Sequence, residues 1–254
     1  MKYPILILSK GRHEKVVTAD LLDSFNVPYK IFVRQNERDL YSQKYKEANL
    51  VSLPLDVDDL AKTRTYIKQW AREQGYDKHW QVDDNIRHFL AYEKGKRVRK
   101  APDYVLSQCE NFIDRYTNIA NAGLQNTAFG FNIKKPFKTN IQVYCCMLID
   151  NHTPFKFRGG NLGAEDIDYS LQCLSAGYCT ILFCAFQIDK MNSGKMKGGL
   201  HDEYKDDGRI KRIRWLQNKW PYTVKARRRW DRPSHDLDRV WQRFTQPLIK
   251  KQET

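Results

Sequence analysis

Short apolar runs alternate with amphipathic stretches through the first third of the chain, and this alternation constrains the fold more than any other feature. Tyr3–Leu8, Tyr29–Val33 and Leu50–Leu53 are apolar and short enough for buried strands. After the first, Val16, Val17, Leu21 and Leu22 carry a helical period to about Phe25, stopped near Asn26 and Pro28. Asp39–Ala48 is polar and predicted helical. After Pro54, Asp58 or Asp59 can cap a helix with Leu60, Ile67, Trp70 and Ala71 on one face, closed by Gly75. Arg64 lies a turn before Ile67 on a different face. Strand and helix alternating in this way argue for a parallel sheet with helices on both faces.

A fourth strand follows, and its end carries chemistry. In His79-Trp80-Gln81-Val82-Asp83-Asp84-Asn85-Ile86, Trp80 and Val82 share one strand face. Asp83, Asp84 and Asn85 then sit at the carboxyl end, where ligands bind in open, Rossmann-like sheets. Adjacent carboxylates repel unless a cation accompanies them, and a divalent ion shared with substrate phosphates is one answer. A solvated turn is the other. The first strand ends in Ser9-Lys10-Gly11-Arg12, which suits a phosphate or nucleotide as well as an ordinary turn. Gly11 would let a ligand approach the backbone.

Further along, Lys94-Gly95-Lys96-Arg97-Val98-Arg99-Lys100 lacks apolar periodicity and is predicted to be a loop, either a solvated surface or a contact for nucleic-acid phosphates. A long helix is expected from about Asp103 to Ala122, ended by Gly123. Phe129–Ile133 and Ile141–Ile149 read as strands. Gly159-Gly160-Asn161-Leu162-Gly163 forms a flexible loop that opens a helix from Glu165 to about Ala176. Glu165, Asp166 and Asp168 fall in its first turn, where the helix dipole favours acids. After a buried strand, Thr180–Ile188, comes a Gly- and Lys-rich stretch, Lys190–His201, that lacks Walker A spacing.

Charge narrows the partners. The net charge of +14 points to nucleic acid or phosphorylated substrates. From about Arg209 onward basic residues interleave with aromatics, among them Trp215, Trp220, Arg227, Arg228, Arg229, Trp230 and Trp241. Such a pattern can grip phosphates and stack on bases, or it can be a pair of helices packed by their tryptophans. Six cysteines lie mostly in apolar runs without metal spacing, as expected for reduced thiols of a cytoplasmic protein. No apolar run has the length of a membrane span, and Met1–Leu8 is too short for a signal peptide.

In order, these features are a basic turn after the first strand, a di-acid after the fourth, a Gly-rich loop opening a Glu-Asp helix, and a Gly/Lys loop ending in His201. The order resembles the GT-A fold of nucleotide-sugar-dependent glycosyltransferases over roughly residues 3–201. Asp83-Asp84-Asn85 looks like that fold's DxD element, although it reads Asp-Asp-Asn, so either acid could be the ligand. Gly163-Ala164-Glu165-Asp166 looks like its acceptor-side helix start. The wording Val-Asp-Asp-Asn, the small size and the basic tail are similar to the TET-associated glycosyltransferases, bacteriophage-type enzymes proposed to glycosylate hydroxymethylated pyrimidines in DNA.

The resemblance implies an α/β, GT-A, Rossmann-like mixed sheet flanked by helices over 1–208, with a basic C-terminal helical extension over 209–254. It implies transfer from a nucleotide-sugar, a UDP-sugar, with Mn²⁺ or Mg²⁺ held by Asp83 or Asp84 and His201. Ser9, Lys10, Gly11, Arg12, Arg64, Asp83, Lys195 and Lys197 would bind the donor. Asp166 would be the general base, with Glu165 orienting the acceptor. A base on the acceptor side favours inversion, and retention stays open. Lys96, Arg97, Arg99, Lys100 and Arg227, Arg228, Arg229 and Trp230 would hold DNA, in a host cytoplasm if the protein is phage-encoded. Rival readings are a transferase acting on a glycan, lipid or protein, a metal-dependent nuclease or nucleotidyltransferase, and a non-catalytic nucleic-acid-binding protein.

Overall fold

The computed structural model describes residues 1–130, 133–191, 208–229 and 232–252. Its first part follows the expected alternation. β1 (Ile5–Leu8), α1 (Val17–Ser24), β2 (Tyr29–Arg34), α2 (Arg38–Ser42), β3 (Leu50–Leu53), α3 (Leu60–Glu73) and β4 (Lys78–Asp83) succeed one another. The four strands pair in parallel in the order β3-β2-β1-β4, with Ile5 opposite both Tyr29 and Trp80. The Asp59 side chain caps α3 by accepting from the Lys62 N–H at 2.8 Å.

The second part departs from expectation. β4 turns straight back through Asp84 and Asn85 into β5 (Ile86–Glu93), and β6 (Lys96–Lys100) forms a hairpin with it. The predicted basic loop is therefore an edge strand. Lys94 and Gly95 make its two-residue turn, both with positive φ (47° and 80°), the conformation that suits twisted strands. A charged edge strand of this kind also resists pairing with another chain.

The long helix predicted to Ala122 is also corrected. α4 (Pro102–Ile113) stops early, and Ile119–Asn126 forms β7, buried at every position. Gly123 does not end a helix. It lies inside β7, where a Cβ would stand 2.4 Å from the Cys146 carbonyl oxygen. β8 (Phe137–Thr139) is short, and β9 spans only Cys146–Asp150 of the run expected from Ile141. Thr127–Phe129 is a 3₁₀ turn rather than the start of a strand, and residues 131–132 lie outside the described residues. α5 (Glu165–Ser175) and β10 (Cys179–Lys190) fall as predicted, with β10 extending past Ile188.

The result is one mixed sheet in the order β3-β2-β1-β4-β9-β7-β10-β5-β6, with β8 also paired to β10. β9 is antiparallel to β4 and β7, whereas β10 is parallel to β7 and antiparallel to β5. The carboxyl ends of β1, β4 and β10 consequently share one end of the sheet. Ile5, Ile7, Trp80 and Val82 face α1 and α4 in the largest core cluster, while Leu6 and Phe32 face α3. Met147 and Ile149 pack with Tyr169 and Cys173 of α5. This is a Rossmann-like sheet flanked by helices on both faces.

Beyond it come α6 (Gly208–Lys219), a hairpin of β11 (Ala226–Arg229) and β12 (Arg232–His235), and α7 (Leu237–Trp241). The extension is thus helix, hairpin and short helix rather than helices alone. Leu216, Val224 and Val240 share a buried cluster with Ala164, Ile167 and Leu171 of the α5 region. The last described residues return to the sheet, where Asn118 Nδ2 donates to the Pro247 carbonyl and Thr117 N–H to that of Ile249 (both 2.9 Å). All six cysteines are unpaired, and five are buried. Among the described residues no helix is long and apolar enough to cross a membrane.

His79 on β4 is fully buried, with Nδ1 2.7 Å from Asn151 Oδ1. Burial holds its pKa down at about 3, so the folded protein keeps it neutral. Its contribution to stability is present above the ordinary value of 6.5 and drains away as pH falls toward 3. His79→Gln is expected to reduce the loss of melting temperature between pH 6.5 and 4. An unchanged pH dependence would assign that loss to other groups.

Candidate active site

The carboxyl ends of β1, β4 and β10 and the start of α5 enclose a cleft of about 210 Å³. Ser9, Lys10 and Arg12 line it from the β1 turn, Arg64 from α3, Asp83, Asp84 and Asn85 from β4, and Glu165 and Asp166 from α5. Cys145 and Lys190 complete the floor, and Leu8, Arg34, Leu53 and Leu60 line the side toward β2 and β3. The two acidic stretches singled out in the sequence therefore meet in one cavity.

The adjacent aspartates have different fates. Asp84 is 5% exposed. Ser9 Oγ–H donates to its Oδ2 at 2.8 Å, and the Arg12 guanidinium pairs with its Oδ1. Burial raises its pKa and Arg12 opposes the shift. Asp83 faces the cleft. Lys190 Nζ donates to its Oδ2 at 2.7 Å and Arg64 Nη2 to its Oδ1 at 3.1 Å. Burial alone would raise Asp83, but Lys190 and Arg64 outweigh it and hold the carboxyl at about 2.

Arg64 is the bridge of the site. It is buried, with Nη1 on Gln81 Oε1 (3.0 Å), Nη2 on Asp83 and Nε on Glu165 Oε1 (3.2 Å). Its three contacts tie the end of β4 to the start of α5. Glu165 Oε2 is buried with no hydrogen-bond partner among the described residues. Burial, and then the neighbouring charge of Asp166, raise Glu165 to about 7, with Arg64 opposing. Asp166 is more exposed. Its Oδ2 accepts from Gln142 Nε2 at 2.9 Å and its Oδ1 from the Ile167 N–H at 2.7 Å. Burial raises Asp166 as well, against the positive charge of Arg212 on α6. Asp168, the third acid of the turn, faces away and is fully buried under Arg158, which donates to both of its oxygens at 2.9 and 2.7 Å.

Of the other predicted donor-site residues, Gly11 has φ 64° and its N–H donates to Glu37 Oε2 at 2.7 Å. Lys195, Lys197 and His201 lie outside the described residues. Asp84 is committed to Arg12 and Ser9. Asp83 is already flanked by two cations, which disfavour a third positive charge. Among the described residues no group of three His, Cys, Asp or Glu is arranged to hold a metal.

The predicted DNA contacts divide. Lys96, Arg97, Arg99 and Lys100 lie on the edge strand β6. Arg97, exposed like Lys96 and Arg99, donates to Gln187 Oε1 at 2.9 Å, and Lys100 pairs with Glu93 at 2.7 Å. Arg227, Arg228 and Arg229 lie on β11, Arg227 pairing with Asp236 at 3.1 Å, and Trp230 is outside the described residues.

Lys190, Cys145 and Gln142 were not assigned to the site from the sequence. Lys190 had a signal, because it ends a buried strand at the same end of the sheet as Asp83. Gln142 had none. Cys145 takes a left-handed backbone (φ 65°), its carbonyl accepts from the Asp83 N–H at 2.8 Å, and Lys190 lies 3.2 Å from its sulfur. Burial, with Asp83 adding, pushes its thiol up to about 12, which keeps it protonated.

Cations and acids thus converge at the strand ends of a mixed α/β sheet. The chain belongs to the TET-associated glycosyltransferase family, whose model matches residues 3–199. No curated protein matches the sequence. Among solved structures, the mannose-1-phosphate geranyltransferase from Thermus thermophilus is similar at 11% identity and a TM-score of 0.36. The match covers 73% of this chain and 58% of that one, a distance at which it carries no argument about chemistry.

Proposed function

We propose that the protein moves a sugar from a UDP-sugar to the hydroxymethyl group of a modified pyrimidine in DNA. The observation that carries this reading is the Arg64 bridge, which joins a cationic, strand-end half of the cleft to an acidic, helix-start half within one cavity. The donor's diphosphate would lie against Lys190, Lys10 and Arg12, whose charges offset the charge developing on it. The acceptor hydroxyl would lie by Asp166, the more accessible of the two raised acids.

In the reaction the acceptor oxygen attacks the anomeric carbon and passes its proton to the Asp166 carboxylate. The bond between the anomeric carbon and the diphosphate oxygen breaks, and its electron pair leaves with the diphosphate. Attack from the Asp166 side gives inversion. A divalent ion at Asp83, Mn²⁺ or Mg²⁺, would have to displace Lys190.

A pyrimidine must reach a pocket, and extruding it from a duplex costs about a few kcal/mol. Phosphate contacts from the basic extension and the exposed part of β6 would offset that cost. Neutralising Arg227, Arg228 and Arg229 together is expected to weaken DNA affinity and flatten the log–log salt slope by up to about 3. Unchanged anisotropy titrations across salt would remove β11 from the interface.

The decisive assay offers UDP-glucose or UDP-N-acetylglucosamine, with and without Mn²⁺, and DNA containing either 5-hydroxymethylcytosine or cytosine. A sugar-sized mass gain on the hydroxymethylated nucleoside alone supports the proposal. Release of UDP without transfer to DNA would keep the donor and reject the acceptor.

A further inference from the structure

The match to the family ends at residue 199, yet the segment beyond it is built into the acid-bearing side of the cleft. We propose that Trp215 and Trp220 of the C-terminal extension are positioning residues that fix the Gly-rich loop and, through it, Glu165 and Asp166. The proposal rests on the transferase reading above and adds to it a part that the family core does not supply.

Contacts on both flanks of the loop carry the argument. On one flank, the Trp215 ring lies against Gly159. A Cβ there would stand 3.1–3.2 Å from three ring carbons, and the residue has φ 102°. Only glycine combines that backbone with that clearance. One residue earlier, Arg158 donates twice to Asp168, and Trp220 Nε1–H donates to the same carboxylate at 2.9 Å. A fully buried carboxylate thus joins the loop, the first turn of α5 and the extension. On the other flank, Asn161 Oδ1 accepts from the Leu60 N–H at 2.8 Å, at the start of the helix that carries Arg64. The loop is therefore clamped between α3 and the extension just before it delivers the two acids.

The apolar contacts agree. Ile167 and Leu171 of α5 share their cluster with Leu216, Val224 and Val240, with Trp215, Trp220 and Trp241 packed around them. Arg212, one helical turn before Leu216, sets its charge against the burial of Asp166. Without these groups the first turn of α5 would lose its cover and its second anchor. Misplacing a catalytic group by about 1 Å can cost about 10²-fold in rate.

The test uses the full chain with Trp220→Phe, which keeps an aromatic ring but removes the hydrogen bond, and Gly159→Ala, which crowds Trp215. Thermal unfolding first shows that each variant is folded. Hydrogen exchange of residues 158–168 is then compared with that of β4 and α3. The expected result is faster exchange in 158–168 alone. In turnover, kcat is expected to fall about tenfold or more with the donor KM unchanged. Unaltered exchange in that segment, or kcat and donor affinity falling together, would overturn the proposal. The exchange measurement needs no substrate. A wild-type protein that transfers no sugar would therefore sink the functional reading while leaving this inference decided on its own terms.

Discussion

Arg64→Met is expected to abolish transfer and to destabilise the fold by about 3–5 kcal/mol, the usual cost of stripping one partner from a buried ion pair. The reason lies in what Arg64 leaves behind. Asp83 would retain Lys190, but Glu165 would retain no partner among the described residues for either oxygen, since its Oε2 already has none there. Gln81 would also lose the donor to its Oε1. For a chain of this size the loss corresponds to a fall of roughly 10 °C in melting temperature. Glu165→Gln added to Arg64→Met removes the unpartnered carboxyl and should restore part of the stability but none of the activity. A single variant that melts within about 2 °C of the wild type would mean the guanidinium is not the clamp described here.

Asp166→Asn should lower kcat by about 10²–10⁴-fold, the range for loss of a positioned base. It should also change how stability responds to pH. Glu165 is raised from 4.5 to about 7 by burial and by the charge of Asp166. The folded state therefore holds its proton more tightly than the unfolded chain does. The stability from this group is fully present below pH 4.5 and is lost as pH rises through about 7, a swing of about 3 kcal/mol. Removing the Asp166 charge brings Glu165 down and shrinks that swing. Unfolding measured from pH 5 to 8, beside the rate, checks both. Activity within tenfold of the wild type would pass the role of base to another group.

The parallel half of the sheet was legible because its helices are amphipathic and its breaks are marked by Gly75, Asn26 and Pro28. The antiparallel half was not. β7 is buried along its whole length, so Ile119–Asn126 shows no alternation, and its Ala, Asn and Gly residues are poor strand formers. There, tertiary packing overrides local preference. β5 follows β4 after two residues, and its hairpin turns on Lys94, a residue that seldom takes positive φ.

The site was legible to the same depth. Acids at a strand end and at a helix start were visible as such. Which acids are spent on structure was not, because their partners are fixed only by the fold. Arg12 lies 72 residues from Asp84, and nothing near Asp168 in the chain announces Trp220.

The place of β10 has a consequence for the order in which the molecule is made. β10 lies between β7 and β5, so the β5–β6 hairpin has no neighbour in the sheet until Cys179–Lys190 has emerged. The parallel half can assemble from the first eighty-odd residues, and β9 and β7 can join it, but β5, β6 and β8 wait on one late strand. Such long-range closure is slow and leaves strand edges exposed in the meantime. The charged β6 edge would protect the nascent hairpin during that wait. Lys190 is the last residue of the closing strand, so the charge balance around Asp83 is completed by the same event that seals the sheet. An unfinished chain therefore cannot carry a finished active site.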